Sequence, residues 1–325
     1  MLVVGAAGVV TLVGSGGGAI GFPPCGPPLC SNTPLVLRSV EVQPPALTAQ
    51  VGSAARFTAV PSNLPGTLRY QWRRSSDGGT TYVDIAGATA ATLTLPAVNL
   101  ADDHLKLQVT VTTDVGYFAS GSAQLVVSAS PGIVFEDGEF VPADWLSSPL
   151  PDAGQLPFTV SDQRMPDGGN PGAWRTMAYT IPGSGPWARL FYARPGSVYA
   201  PAAQGAIYVI DYAEDCIATN LSDTASIASA LRTALTIEQG ARRYLWNVPE
   251  SCTRGSWTAA MGRASLVASD FSLVDGPACG AGERCPDFSV NAAPLRFGYR
   301  RLAYGVGGDT IVHGIDNWRV TVWRR

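Results

Sequence analysis

The sequence predicts an all-β protein in which two β-sandwiches follow an apolar leader. Hydrophobic residues make up 46% of the chain and charged residues 14%, a balance that supplies packed cores and argues against disorder. Short alternating segments recur from residue 36 onward with turns rich in glycine and proline between them. A length of 325 residues exceeds one ordinary sandwich and fits a leader at 1–35, a domain at 36–129 and a larger domain at 131–325.

The leader, residues 2–20, is apolar and small, which indicates a signal-peptide core followed by a Pro/Gly tether. No Lys or Arg precedes Arg38, so we expect translation to start further upstream. The segment 14–19 fits a dinucleotide-binding pattern, but the prolines after it exclude the helix that would hold phosphate. A lipobox-like segment has Ser15 in place of the lipidated cysteine, which argues against a lipid anchor. Membrane association is therefore expected only through this short, glycine-rich leader.

The charge balance narrows the classes of partner. A net charge of −3 provides no electrostatic footprint for nucleic acid or an anionic membrane. Lys106 is the single lysine, so arginine carries nearly all the positive charge. We interpret that bias as the composition of a GC-rich bacterial gene.

The six cysteines form three local pairs, Cys25/Cys30, Cys216/Cys252 and Cys279/Cys285. None belongs to a CxxC pair with histidine partners, so a zinc site is not indicated. We expect a disulfide-closed loop at 279–285 and a disulfide between two neighbouring strands at 216 and 252. Oxidised cysteines indicate an extracytoplasmic protein, secreted or at the cell surface. The alternative is six reduced thiols in a cytosolic protein.

Residues 36–129 contain a regular series of short strands. Leu68, Tyr70 and Trp72 alternate onto one face of a strand, and 105–111 alternates in the same way. Turn signals separate these strands, as in an all-β sandwich.

This module resembles bacterial Ig-like domains of cell-surface proteins over most of residues 40–128. The resemblance rests on Tyr70-Gln-Trp72, on the segment 82–89 and on the strand opened by Asp103. Phe57 and Val109 stand where the inter-sheet cysteines of the wider Ig pattern would be. The resemblance therefore implies an N-terminal Ig-like β-sandwich packed around Trp72 without a disulfide, which serves as a spacer.

The larger domain is organised by its last stretch, 313–323, where Trp318 and Val320 alternate with Arg319 and Thr321. A matching stretch, 135–140, opens the domain with an apolar residue and acids. We predict that these are the first and last strands of one sandwich, paired so that their carboxylates meet. Ser222–Ala234 is expected to form a short helix. Further strands are predicted at 187–192, 205–212, 234–238, 243–246 and 295–300, which together indicate an antiparallel jelly-roll β-sandwich of two stacked sheets.

The acids at the two ends of this domain carry a second resemblance. Phe135-Glu136-Asp137 with Trp145, and 315–320 at the other end, are similar to jelly-roll carbohydrate-binding modules and concanavalin-like sandwiches. In such modules an early acid and a late Asp share a structural calcium. The resemblance therefore implies calcium held by Glu136 and Asp316, with Asp137 and Asn317 as additional oxygen ligands. The alternative is a pair of solvated acidic turns.

A different set of acids, on the segment 209–214, suggests catalysis. The segment 209–214 resembles the E-x-D-x-x-E strand of concanavalin-like glucanases, but Val209 stands in the place of the nucleophile. Asp211 and Glu214 thus lack the partner that a retaining glycosidase needs, and we expect them to line a loop with Asp215. The two histidines, His104 and His313, lie in different domains, which argues against a Ser-His-Asp set.

Ligand binding on aromatic rings is the remaining chemistry. Trp174 and Arg175 follow a turn-rich segment, and Arg189 and Tyr192 join them if their strand is adjacent. Sugars pack on flat rings with help from planar polar groups such as guanidinium. The alternative is that these side chains belong to the sandwich core.

Together these features predict an exported, non-catalytic binding protein whose partner is a glycan or surface polymer. One alternative is a structural or adhesive surface protein that binds a protein partner. Another is a degenerate concanavalin-like glycoside hydrolase.

Overall fold

The structure is a computed structural model. It describes residues 2–4, 10–12, 38–150, 159–180, 187–219, 231–246, 250–253, 255–274, 276, 279, 285–304 and 310–325. The chain separates into two compact units, Met1–Arg38 and Ser39–Arg325. Among the described residues, no helix combines the length and apolarity needed to cross a membrane.

In the first unit, β1 (Leu2–Val4) pairs antiparallel with β2 (Val10–Leu12). The segment 14–19, with its dinucleotide-like and lipobox-like patterns, lies outside the described residues. The predicted tether and its cysteines, Cys25 and Cys30, also lie outside them.

The second unit begins with a two-sheet sandwich over residues 39–128, here called the Ig-like module. Its strands are β3 (Ser39–Gln43), β4 (Ala46–Gln50), β5 (Ala55–Ser62), β6 (Arg69–Ser75), β7 (Val83–Asp84), β8 (Thr92–Leu95), β9 (Lys106–Thr113), β10 (Gly116–Ala119) and β11 (Ala123–Ser128), with a 3-10 turn at Leu100–Asp102. One sheet has the order β3-β5-β8 and the other β4-β11-β9-β6-β7, with β10 on β9. Phe57, Trp72 and Val109 are fully buried between the sheets. Hydrophobic packing around Trp72 therefore fills the space where the wider Ig pattern has a disulfide.

A larger sandwich follows in the same compact unit. Its strands are β12 (Ile133–Asp137), β13 (Leu146–Leu150), β14 (Thr159–Gly169), β15 (Gly172–Thr180), β16 (Trp187–Tyr199), β17 (Ile207–Thr219), β18 (Leu231–Gln239), β19 (Arg242–Trp246), β20 (Glu250–Ser251), β21 (Thr258–Leu266), β22 (Phe271–Leu273), β23 (Leu295–Tyr304) and β24 (Thr310–Arg324), with 3-10 turns at Pro142–Asp144 and Ala268–Asp270 and a helical turn at Pro201–Gln204. One antiparallel sheet, sheet I, has the order β14-β15-β24-β17-β21 with β12 on β24. The other, sheet II, has the order β13-β16-β23-β18-β19-β22 with β20 on β18. The all-β sandwich fold is confirmed.

The predicted pairing of the first and last strands is also confirmed, because β12 lies antiparallel to β24 with Phe135 opposite Val320. Each strand candidate of the sequence overlaps an observed strand. The predicted helix is wrong over 231–234, since these residues begin β18 and pair with β23. The remainder of that prediction, 222–230, lies outside the described residues.

The space between sheets I and II holds polar side chains among the aromatic ones. Arg301 and Glu214 form a fully buried ion pair with 3.0 Å between Nη1 and Oε1. His313 on β24 is also fully buried, and among the described residues neither of its ring nitrogens has a hydrogen-bond partner. The edge of the Tyr179 ring contacts the imidazole, with the ring centroids 5.6 Å apart. Burial, and then the charge of Arg301, lower the pKa of His313 well below its usual value of 6.5.

We expect this buried imidazole to make the protein less stable in mild acid. Between the lowered native pKa and 6.5 the unfolded chain binds the proton and the folded chain does not. The free energy of unfolding therefore falls by up to about 1.4 kcal/mol for each pH unit below about 6.5. Chemical denaturation between about pH 7 and about pH 5 measures this slope.

The matched variants are His313→Leu and His104→Gln, because the chain has only these two histidines. His313→Leu should flatten the pH dependence in this window, whereas His104→Gln should retain the wild-type slope. An unchanged slope in His313→Leu would contradict the assignment.

Candidate functional site

The site is built around the hairpin that joins β14 and β15, with Gly169 opposite Gly172 at its end. Gly168 and Gly172 have φ values of 87° and 98°, in the left-handed region that favours glycine. A Cβ on Gly169 would lie 2.5 Å from Oδ2 of Asp316. Glycine at this position therefore allows the Asp316 carboxylate to reach the hairpin backbone.

Asp316 is fully buried at the base of the hairpin. Its Oδ2 accepts a hydrogen bond from the amide of Asn170 at 2.5 Å, and its Oδ1 accepts one from the amide of Asn317 at 2.7 Å. Burial, and to a smaller extent the charges of Asp215 and Glu139, raise the pKa of Asp316 above its usual value. The carboxylate is thus used to fix the turn to β24.

Asp215 lies directly opposite Asp316 in the β17–β24 pair. Its Oδ1 accepts from the amide of Ala260 at 2.6 Å. The side-chain Nδ2 of Asn317 donates to Oδ2 of Asp215 at 2.8 Å and to the backbone carbonyl of Asn170 at 2.6 Å. Strands β17, β21 and β24 and the hairpin are therefore joined by one polar network.

Trp174 and Trp257 form the aromatic part of the site. Their rings are 5.4 Å apart and nearly perpendicular, at 89°. The indole N–H of Trp174 donates to the carbonyl of Asp167 at 2.8 Å, and that of Trp257 to the carbonyl of Gly168 at 3.2 Å. Both rings are half-buried. The hairpin thus holds two partly exposed indoles in fixed orientations.

The Trp174 ring packs against the backbone of β24 at Gly314. A Cβ on Gly314 would lie 2.6 Å from the Trp174 ring and 2.6 Å from the Ile217 side chain. Gly314 is two residues from Asp316, so the indole pair and the polar network share one short segment of β24. We call the two together the hairpin site.

The residues predicted to bind calcium do not meet as one ligand set. Glu136 is opposite Arg319 in the β12–β24 pair, whereas Asp316 is opposite Asp215 in the β17–β24 pair. Among the described residues, no group of three His, Cys, Asp or Glu side chains has the geometry to hold a metal ion.

Asp137 is committed to the protein itself. Its Oδ1 accepts from the amides of Glu139 and Phe140, both at 2.8 Å, and its Oδ2 accepts from the Trp145 indole at 2.8 Å. Arg194 lies 3.4 Å from the same Oδ2. Asp137 and Trp145 together therefore close this turn. Calcium binding remains a prediction that titration of the whole chain would test.

The predicted aromatic platform divides between two faces of β15. Trp174 belongs to the hairpin site, whereas Arg175 is buried between the sheets, where it pairs with Asp162 and lies 4.6 Å from the Tyr192 ring centre. Tyr192 is fully buried, and Arg189 is half-buried on β16 opposite Leu302. Arg175 and Tyr192 do come together, but as core residues rather than as a surface for a ligand.

The acids of the predicted hydrolase strand also point to opposite faces. Glu214 lies in the core with Arg301, whereas Asp211 accepts hydrogen bonds from the hydroxyl of Thr48 at 2.8 Å and the indole of Trp323 at 2.7 Å. They belong to β17 rather than to a loop. The two carboxylates therefore cannot act on one bond.

An open cleft of about 670 Å³ borders the polar network; we call it the acidic cleft. Three of its acids have arginine partners, since Glu136 pairs with Arg319, Asp137 with Arg194 and Glu139 with Arg164. Its remaining acids are Asp144 and Asp215. This cleft extends the hairpin site along the surface of sheet I.

Three contributors to the site were not predicted as site residues: Asn170, Asp215 and Trp257. Asn170 had a usable signal in its Gly-Gly-Asn-Pro-Gly turn. Asp215 and Trp257 had none, because their contacts depend on which strands become neighbours.

Comparison with known proteins adds little to this picture. No family model matches the chain, and no curated relative matches it. A solved structure described as the basis of T cell specificity and activation by the bacterial superantigen toxic shock syndrome toxin-1 is similar at 13% identity and a TM-score of 0.24, covering 28% of this chain and 98% of that one. A marsupial T cell receptor is similar at 11% identity and a TM-score of 0.24, covering 48% of this chain and 93% of that one. Neither likeness carries an argument about function.

Proposed function

We propose that this protein binds carbohydrate, without catalysing a reaction, outside the cytoplasm. The observation that carries the proposal is the pair of half-buried indoles, Trp174 and Trp257, held at a fixed angle by the hairpin. Sugar rings present flat arrays of C–H groups that pack against aromatic faces. Rings held in place before binding lose little conformational entropy when a ligand packs on them.

The polar network supports the same ligand class. Asn170, Asn317 and Asp215 bring amide and carboxylate groups to the same hairpin. Such groups donate to and accept from sugar hydroxyls, and a few placed polar groups beside apolar rings are what a specific site needs. An exposed part of Asn317 faces the solvent, so the network is within reach of a ligand.

Two disulfides support a location outside the cytoplasm. Cys216–Cys252 and Cys279–Cys285 are both disulfides, as predicted. Disulfides persist in oxidising compartments and are rare in the cytosol. A binding protein for glycans or surface polymers fits such a compartment.

Trp174→Ala is expected to weaken polysaccharide binding at least about tenfold, the size of effect typical of a central aromatic contact. Affinity electrophoresis in gels that contain single soluble polysaccharides measures the change through the retardation of the band. Trp257→Ala should weaken binding of the same polysaccharide, because the two rings act as one surface.

Tyr117→Ala is the matched control, since this ring is 62% exposed in the Ig-like module and away from the hairpin. It should leave retardation unchanged. Absence of retardation of the wild-type chain by every polysaccharide tested would overturn the proposal. Equal retardation of wild type and Trp174→Ala would remove the hairpin site from it.

A further inference from the structure

A second cleft lies where the Ig-like module meets the larger sandwich; we call it the inter-module cleft. Its volume is about 590 Å³, within the range of about 300–1,000 Å³ typical of ligand pockets. Residues 43–46 of the Ig-like module form one wall, and parts of β17, β21 and β24 form the other. Interfaces between modules are frequent positions for ligand sites.

Direct contacts hold the two walls together. The Thr48 hydroxyl donates to Oδ1 of Asp211 at 2.8 Å and lies 2.9 Å from the Ser265 hydroxyl. The Tyr208 hydroxyl donates to Oδ2 of Asp103 at 2.5 Å, and the Ser128 hydroxyl donates to the carbonyl of the Arg324 residue at 2.5 Å. These contacts, distributed along the interface, fix the width of the cleft before a ligand arrives.

The free polar groups of the cleft are mainly donors. Arg263 is exposed and has no ion-pair partner among the residues that the structure describes. Within the described part of the chain, the ion-pair partner of Arg319 is Glu136 at 3.8 Å, and both side chains are more than half exposed, at 54% and 66%. Such a surface pair is weak.

Among the described residues that line this cleft, the one acid, Asp211, already accepts several hydrogen bonds. Asp211 accepts hydrogen bonds at Oδ1 from Thr48 and from the amide of Ser265, and at Oδ2 from the Trp323 indole. Gln43, on the opposite wall, is exposed and offers a carboxamide. Two guanidinium groups and an amide, with no free carboxylate among the lining residues, are complementary to an anion.

We propose that the inter-module cleft binds a carboxylate-bearing sugar residue of an acidic polysaccharide. Arg263 and Arg319 bind the carboxylate, and Pro44 and Pro45 offer an apolar surface to the sugar ring. This inference rests on the proposed carbohydrate binding and narrows its ligand class. The inter-module cleft and the acidic cleft share the lining residues Ala213, Ala260 and Arg319, so Arg319 lies where the two clefts meet.

General attraction to polyanions does not explain such binding, because the chain has a net charge of −3. Selectivity must come from the two arginines at one place. The carboxylate of a uronic acid is planar and matches the fork of a guanidinium group, whereas a neutral sugar leaves both arginines without a new partner.

The experiment compares polygalacturonate with neutral galactan in affinity electrophoresis. Arg263→Gln and Arg319→Gln should each weaken polygalacturonate binding about tenfold, the loss expected for one charge-assisted hydrogen bond. Neither variant should change galactan binding. The matched control is Arg56→Gln, which removes an exposed arginine of the Ig-like module outside the cleft. Higher ionic strength should weaken the polygalacturonate complex and not the galactan complex.

The possible failures are separable. Retardation by galactan that depends on Trp174, with no effect of Arg263→Gln or Arg319→Gln on polygalacturonate, would overturn this inference and leave the proposed function in place. Equal arginine-dependent retardation by dextran sulfate would overturn the preference for carboxylate. Retardation by no polysaccharide would overturn the proposed function and this inference together. All three replaced arginines are on the surface, so loss of folding is not expected, and thermal unfolding of each variant checks this.

Discussion

Glu214→Gln is expected to lower the free energy of unfolding by about 3–5 kcal/mol, the cost of leaving a buried charge without its partner. Glu214 and Arg301 are both fully buried between the two sheets. The Tyr212 hydroxyl donates to Oε2 of Glu214 at 2.5 Å, and Thr233 contacts Arg301 on its other side. A guanidinium group cannot lose its proton under these conditions, so Arg301 would remain charged in an apolar interior. Urea denaturation measures the change.

Two comparisons make the prediction specific to burial. Glu238→Gln removes a similar carboxylate that pairs with Arg243 at 2.6 Å and with Arg296 at 3.3 Å, but these side chains are partly exposed, at 22% for Glu238, 23% for Arg243 and 41% for Arg296. It should cost no more than about 1 kcal/mol. The double variant Glu214→Leu with Arg301→Met replaces both charges by apolar groups and should recover most of the lost stability. Equal costs for Glu214→Gln and Glu238→Gln would contradict the assignment.

The buried position of Arg175 shows how far the sequence could predict the candidate site. Alternation predicts that Trp174 and Arg175 point to opposite faces of a strand, but it does not say which face meets a second sheet. The face that meets the second sheet depends on the strands that pair with β15. Its neighbour is β24, where Thr310 lies opposite Thr180 although the two are 130 residues apart in sequence. The sequence interpretation placed Trp174 and Arg175 after a turn rather than on a strand, and it mistook the buried Arg175 for a surface residue.

The pairing of the two ends of the larger sandwich was predictable because the last stretch alternates strictly and the first stretch has a matching apolar residue and acids. The use of their acids was not predictable. Asp137 is consumed by two backbone amides and the indole of Trp145, and a local sequence pattern cannot distinguish this from ion binding. Asp215 joins the site only because a register irregularity between Ala213 and Asp215 brings it opposite Asp316.

The inter-module contacts were beyond sequence analysis for a similar reason. Thr48 and Asp211, which meet at 2.8 Å, are separated by 163 residues. Neither residue has a local signal for this contact, since Thr48 resembles any strand threonine and Asp211 resembles one acid of an incomplete catalytic strand. Only the docking of the two sandwiches makes them partners.

Removal of the Cys216–Cys252 disulfide is the second change for which we expect a large effect. It should lower the free energy of unfolding by about 4 kcal/mol. The two cysteines are 36 residues apart in sequence, and a cross-link of that length removes loop-closure entropy of about this size from the unfolded chain. The sequence predicts that the Cys216–Cys252 disulfide joins two neighbouring strands. Cys216 belongs to β17 of sheet I, whereas Cys252 follows β20 of sheet II. The bond therefore connects the two sheets of the larger sandwich, and Cys216→Ala with Cys252→Ala should lower the unfolding midpoint in guanidinium chloride accordingly.

The second disulfide is the matched control. Cys279 and Cys285 are only 6 residues apart, so the same entropy argument predicts a loss of about 2 kcal/mol for Cys279→Ser with Cys285→Ser. The ratio of the two losses is informative because strain or cavities at either site would not scale with loop length. A smaller loss for the Cys216–Cys252 pair than for the Cys279–Cys285 pair would show that the inter-sheet bond does not restrict the unfolded chain in this way. The sandwich would then be held together by its buried aromatic and ionic contacts alone.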